Sequence, residues 1–199
     1  KRFDPQGYSM SRPSICVFCG SRSGLDPAYA EEATALGEML AEAGWRLVYG
    51  AGDVGLMGAV ARAAQAAGGE TFGVIPEHLM RREVGKTDLS QFTVTENMHE
   101  RKKVMYMNSD AIVVLPGGAG SLDEFFEVLT WRQLGLHRKP IYLVNINGYW
   151  DGLIALVDQV IAQGFADPSL RGFVSVTGSA SELMRALRAD LSAPSVASE

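Results

Sequence analysis

The 199-residue chain is 47% hydrophobic and 21% charged, proportions that suit one compact domain with a sizeable core and leave little room for two. Its formal net charge of -5 excludes a protein whose main business is coating nucleic acid, which needs an excess of Lys and Arg, although a local cluster can still hold a small anion. No apolar stretch reaches membrane-spanning length and the N-terminus lacks the basic, apolar and small-residue series of a signal peptide, so a cytoplasmic protein with no membrane contact is expected.

In chain order, residues 1–13 carry no periodic pattern and are expected to form a loose leader, with a single domain over 14–190 and a loose tail over 191–199. Short apolar runs then alternate with helical spacing. Strand Ile15 to Phe18 leads to helix Pro27 to Ala43, strand Arg46 to Tyr49 to helix Leu56 to Ala67, and strand Thr71 to Ile75 to helix Met98 to Ser109. Strand Ala111 to Leu115 leads to helix Ser121 to Leu134, strand Ile141 to Val144 to helix Trp150 to Ala162, and strand Phe173 to Val176 to helix Ala180 to Asp190. Because parallel neighbours need crossover connections and helices usually supply them, this alternation predicts an α/β fold: a parallel sheet with helices on both faces.

Cys16 and Cys19 form a C-x-x-C within "SICVFCG". An odd offset in a strand puts the two side chains on opposite faces, which predicts separate buried thiols rather than a redox pair or half of a zinc site. His78, His99 and His137 stand in different segments without metal-ligand spacing, so no metal is expected.

Three glycine-rich turns follow predicted strands: "GSRSG" from Gly20, "GAGDVG" from Gly50 and "PGGAG" from Pro116. A single such turn needs no ligand, since glycine also serves tight turns and close packing. Three at carboxyl ends of strands, the edge where open parallel sheets bind ligands, point to a binding site. "GAGDVG" follows the first helical crossover rather than opening the fold, where the G-x-G-x-x-G dinucleotide pattern belongs, which disfavours a nicotinamide dehydrogenase.

The third turn is the most specific. In "LPGGAGSLDE", Ser121 and Glu124 have the S-x-x-E spacing of a capping box, so Glu124 is expected either to cap the helix or to serve a ligand. Gly117, Gly118 and Gly120 bare the backbone amides just ahead of the helix, an arrangement suited to phosphate. In "NMHERKKVMYMNSD", helical spacing puts Arg101 on one face with Met98 and Met105, and Arg101 with Lys102 is expected to contact an anion.

Together with "YGAGDVGLMG" at 49–58, "MHERKKVM" at 98–105 and "TWRQLGLHRKPIYLVNINGYWD" at 130–151, these motifs give a chain that resembles the LOG (LONELY GUY) family over about residues 14–190. The resemblance implies a Rossmann-like fold, a homodimer and a cytokinin riboside 5′-monophosphate phosphoribohydrolase, which cuts N6-modified AMP, or AMP itself, into free base and ribose 5-phosphate without a cofactor. It implies Arg101 and Glu124 as catalytic residues. Substrate contacts carry over to Glu83, Arg101, Lys102, Gly117, Gly118, Ala119, Gly120, Ser121, Leu122, Asp123, Glu124 and Thr130. The chain departs from the family pattern at Ser121, where Thr is usual, at Ala51, where Gly is usual, and at Asp123, where Glu is common. Members have also been labelled lysine decarboxylases, but no pyridoxal-anchoring constellation can be identified in the sequence. The alternative to the hydrolase is a non-catalytic nucleotide-binding or carrier module with the same pocket, which fold alone does not exclude.

Overall fold

The computed structural model describes residues 12–80 and 87–192. The elements run β1 (Ser14–Phe18), α1 (Pro27–Glu42), β2 (Arg46–Tyr49), α2 (Gly55–Ala66), β3 (Thr71–Pro76), β4 (Gln91–Thr95), α3 (Met98–Met107), β5 (Ala111–Val114), α4 (Ala119–Gln133), β6 (Ile141–Val144), α5 (Asp151–Ala162), β7 (Val174–Thr177) and α6 (Ala180–Ser192). The strands form one parallel sheet in the order β4-β3-β2-β1-β5-β6-β7, with the helices packed on both faces in a single Rossmann-like domain.

The two-residue period of the central strands builds both layers of the core. Ile15, Val17 and Cys19 join Ala111, Val113 and Leu115 beneath α1, α2 and α6, where Leu36, Leu40, Val60, Leu183 and Leu187 pack. Cys16 and Phe18 join Ile112 and Val114 on the other face, against Met105 of α3, Phe125 and Val128 of α4, and Leu153 and Val157 of α5. The two cysteines are therefore buried in opposite layers and form no disulfide, as the odd offset predicts. Burial, reinforced by the Glu124 carboxylate, pushes the Cys16 pKa well up, which leaves that thiol unreactive.

The structure adds a strand that the sequence reading lacks. β4, "QFTVT", pairs among the described residues with β3 alone and is half exposed, so it carries no long apolar run; its β-branched and aromatic residues are the signal that could have revealed it. At the other end α6 runs to Ser192, two residues past the expected Asp190. Leu191 packs against the core, so the helix takes residues 191 and 192 from the expected tail.

β1 is the pivot of the sheet. The chain fills one side with β2, β3 and β4 and then returns to place β5, β6 and β7 on the other, so the strand order reverses between β1 and β5. Connections diverge from such a point and leave a crevice at the carboxyl ends of the strands. Phe18 and Val114 are abreast there, and the Leu115 amide donates to the Phe18 carbonyl at 2.9 Å.

Candidate active site

The crevice holds a cavity of about 540 Å³, within the usual range for a small-molecule site. The turns after β1, β2 and β5 all reach it, joined by α3 and Tyr149. The turn after β1 is tied to the turn after β5 by a hydrogen bond from the Gly20 amide to the Pro116 carbonyl (3.0 Å), and the Tyr149 hydroxyl donates to the Gly117 carbonyl at 2.6 Å. Tyr29 packs edge-on to Tyr149 with ring centroids 5.4 Å apart, closing this side of the wall.

The start of α4 corrects the capping box expected of Ser121 and Glu124. The N-cap is Gly118, in extended conformation and without a side-chain cap, so the helix begins two residues earlier than the sequence spacing suggests. Ser121 falls on the third helical residue and Glu124 one turn further in. With both residues buried on the inner face of the helix, the S-x-x-E spacing serves to put a hydroxyl and a carboxylate along one wall of the cavity. At Gly117 a Cβ would overlap the Ser121 hydroxyl, so glycine is what lets the turn fold back over its own helix. The first amides of α4, those of Ala119, Gly120 and Ser121, have no acceptor within the helix and no capping side chain, and they stand at its positive end beside the open cavity.

Arg101 enters the cavity from α3. It is 4% exposed, and its guanidinium donates to the Val74 carbonyl through Nε (3.1 Å) and to the Gly50 carbonyl through Nη2 (2.8 Å), with Nη1 3.8 Å from the Met98 sulfur. A Cβ on Gly50 would overlap Nη2, so the second glycine turn exists in part to admit this side chain. The next residue, Ala51, holds φ at +57°, a left-handed conformation that costs an L-residue roughly 1–2 kcal/mol and explains why glycine would sit well there. Met57, Met98 and Met105 line the cavity around Arg101, giving this end an apolar, adaptable surface.

Lys102, expected beside Arg101 on the anion, is placed elsewhere. Its buried ammonium lies 2.9 Å from Asp123 and 3.1 Å from Glu127, both on α4, and it does not line the cavity. Burial pulls the Lys102 pKa down, but the hydrogen bonds and charges of the two carboxylates outweigh it and hold the pKa above its ordinary value. Asp123 is thereby directed to α3, and Leu122 packs against the core. Thr130 is exposed on α4, its hydroxyl bonded to the Phe126 carbonyl at 2.7 Å. Glu83 lies outside the described residues. Among the described residues no three His, Cys, Asp or Glu side chains form a group that could hold a metal.

The cavity thus gathers Gly117, Gly118, Ala119, Gly120, Ser121, Glu124 and Arg101 from the expected set. It also brings in Ser21, Arg22, Tyr29 and Tyr149, which the sequence reading did not single out. Ser21 and Arg22 lie inside a glycine turn already noted, so that turn was the available signal; nothing local marks Tyr149, more than a hundred residues from Tyr29 in sequence. Chemically the arrangement offers amide donors at one end, a carboxylate on the wall and a fixed guanidinium among methionines at the other.

The chain is similar to several known proteins. A family model described as "Possible lysine decarboxylase" matches residues 57–187. A cytokinin riboside 5′-monophosphate phosphoribohydrolase of Arabidopsis thaliana is 45% identical over 87% of this chain and 80% of its own length. A probable enzyme of the same name from Oryza sativa subsp. japonica is 44% identical over 85% of this chain and 69% of its own. Among solved structures, the molybdenum cofactor binding protein of Rippkaea orientalis superposes with a TM-score of 0.70 at 23% identity, over 92% of this chain and 100% of that one, a likeness of fold alone.

Proposed function

Since the chain belongs to the family of possible lysine decarboxylases that includes these cytokinin riboside 5′-monophosphate phosphoribohydrolases, we propose that it is itself a phosphoribohydrolase. Its substrate is an N6-modified AMP or AMP, and its products are the free base and ribose 5-phosphate. The observation that carries this reading is the meeting, in one crevice, of the uncapped N-terminus of α4 with the carboxylate of Glu124. A pure phosphate cradle gains nothing from an acid on its wall, whereas a glycosidic cleavage does.

Breaking the bond between C1′ and the base sends the bonding electron pair to the base and leaves positive charge on the ribose, as in other glycosyl transfers with an oxocarbenium-like transition state. Glu124 stabilises that charge or takes the proton of the water that attacks C1′. The α4 amides and Ser121 hold the 5′-phosphate, so that binding energy remote from the reacting bond positions it. Arg101, the second catalytic group, is fixed by the Gly50 and Val74 carbonyls and either contacts substrate oxygens or orients Glu124. Lys102 supports both from behind by strapping α3 to α4. The methionine end accepts the base and its N6 substituent.

Pyridoxal-dependent decarboxylation, the activity in the family description, does not fit the residues present. It needs a lysine amine in the cavity, and among the described lining residues the cations are arginines. A carrier role is supported only by structural neighbours at 22–23% identity, against hydrolases at 40–48%.

A cytoplasmic homodimer completes the proposal. Phe126 and Thr130 on the outer face of α4 and its C-cap Leu134 follow one another at four-residue steps, and Leu134 and Leu136 are about two-thirds exposed (67% and 66%). Trp131, between Thr130 and Leu134 in sequence, packs edge-on to Tyr106 within the chain. Thr130 faces away from its own cavity, so its role in substrate contact requires a second copy on this stripe. Sedimentation at micromolar concentration should give twice the 21.4 kDa chain mass, and a monomer alone would remove this part of the proposal. Incubation with AMP and with N6-isopentenyl-AMP should release free base; no release from either would sink the hydrolase reading.

A further inference from the structure

The amide end of the cavity contains a cation with no intramolecular task. Arg22, in the turn after β1, lines the cavity, is exposed, and makes no hydrogen bond or ion pair among the described residues. Arg101, the other arginine among the described lining residues, bonds the carbonyls of Gly50 and Val74. The backbone that carries Arg22 is firmly placed. A Cβ on Gly20 would lie 3.0 Å from the Arg22 carbonyl and 3.3 Å from the Gly117 Cα, and the Gly20 carbonyl accepts the Leu56 amide of α2 at 3.0 Å. The stem of the arginine therefore starts beside the glycine turn of α4 while its guanidinium has no hydrogen-bond or ion-pair partner among the described residues.

This matters because a phosphate monoester approaches a chain of net charge -5 carrying nearly two negative charges of its own. The α4 amides supply partial charge only, and Lys102 is already neutralised by Asp123 and Glu127. We infer that Arg22 closes over the substrate's 5′-phosphate from the rim of the cavity and is the residue by which this site distinguishes a nucleoside 5′-monophosphate from the nucleoside. The guanidinium is suited to this, since its planar fork pairs two phosphate oxygens at once and remains charged at every working pH. The inference rests on the reading of the cavity as a nucleotide site, and the test separates the two.

Wild type, Arg22→Ala and Arg22→Lys are compared for binding of AMP and of adenosine by calorimetry, and for base release from AMP. Because Arg22 is exposed and makes no contacts that the fold needs, all three should fold. The expected result is AMP affinity lower by about tenfold in Arg22→Ala, appearing in KM far more than in kcat, with adenosine binding the same in all three proteins. Arg22→Lys should recover part of the loss, and the salt dependence of kcat/KM should flatten in Arg22→Ala. Equal AMP affinity in wild type and Arg22→Ala overturns the inference and leaves the hydrolase reading intact. Arg22-dependent AMP binding without base release from either AMP or N6-isopentenyl-AMP supports the inference and overturns the hydrolase reading. Failure of the wild type to bind either nucleotide overturns both.

Discussion

Ser121 to Glu124 in α4 and Ser179 to Glu182 at the head of α6 share the pattern Ser-x-x-Glu but put it to different uses. At α6 the pattern is a cap: Ser179 Oγ accepts the Glu182 amide at 3.3 Å, and Glu182 Oε2 reaches back to the Gly178 amide at 2.7 Å. At α4 the helix has already begun at Ala119 behind a glycine, so the same spacing turns both side chains inward to the cavity. What decides is where the helix starts. A capping serine must be the last non-helical residue, and "PGGAGS" lets the chain enter the helix before it reaches Ser121. The cap is thereby given up, and its amides remain open to a ligand.

Exchanging the acids gives the largest contrast. Glu124→Gln should fold normally and bind AMP yet lose on the order of 10² or more in turnover, the scale of removing one electrostatic catalytic group. Glu182→Gln should leave turnover unchanged, because an amide oxygen serves a cap about as well. Measured release of free base decides it: if Glu124→Gln retains nearly full turnover, Glu124 has no catalytic charge to lose and the two stretches are not functionally distinct.

Arg101→Ala probes the same wall from α3. Turnover should again fall on the order of 10², but with weaker AMP binding, and here stability should drop by about 1–3 kcal/mol because the Gly50 and Val74 carbonyls lose a buried donor. Thermal melting beside the activity assay separates the two losses. A variant that melts normally would mean the arginine is not the anchor described.

Exchanging the serines should give smaller effects of opposite kind. Ser179→Ala should cost about 1 kcal/mol in denaturant unfolding with no change in activity, the usual loss of an N-cap. Ser121→Ala, with no cap to remove, should show mainly as an AMP affinity several-fold weaker, the size of one modest hydrogen bond. Equal stability losses at the two sites would contradict the assigned helix starts.

The mildest test is pH. His137 anchors the far end of α4, its Nε2 bonded to the Val128 carbonyl at 2.9 Å while Nδ1 accepts the Lys139 amide at 3.2 Å, which fixes the neutral ring. Burial, aided by the nearby Arg132 and Lys139 charges and opposed by the Val128 bond, lowers its pKa from the ordinary 6.5. A group held neutral in the fold contributes stability that is complete above the unfolded pKa. That stability declines as pH falls below about 6.5, by at most about 1.4 kcal/mol per pH unit. His137→Gln should flatten the slope; an unchanged slope would assign acid sensitivity to other groups.

Much of this protein is written in local pattern. The alternation of strands and helices, the opposite faces of Cys16 and Cys19, and the glycine turns at carboxyl strand ends were all legible, because a two-residue or helical period and the backbone freedom of glycine act over a few residues. β4 was not, since an edge strand with one neighbour needs no apolar run on both faces. Nor was the true start of α4, where a glycine N-cap leaves no side-chain mark while the serine three residues later imitates one.

What the sequence alone determined, then, is that the chain is a layered α/β domain and that it carries bare backbone amides, an arginine helix and a carboxylate beside its glycine turns. The tertiary structure decided which of them meet. Local periods say which face of an element is apolar but not which strand lies beside which, and only the choice of β1 and β5 as neighbours, with both faces of the sheet buried, brings "GSRSG" against "PGGAG". The same non-local packing separates two adjacent cations on α3. Arg101 bonds the carbonyls of Gly50, just past β2, and Val74, within β3, and lines the cavity, while Lys102, one residue on, meets the carboxylates of α4.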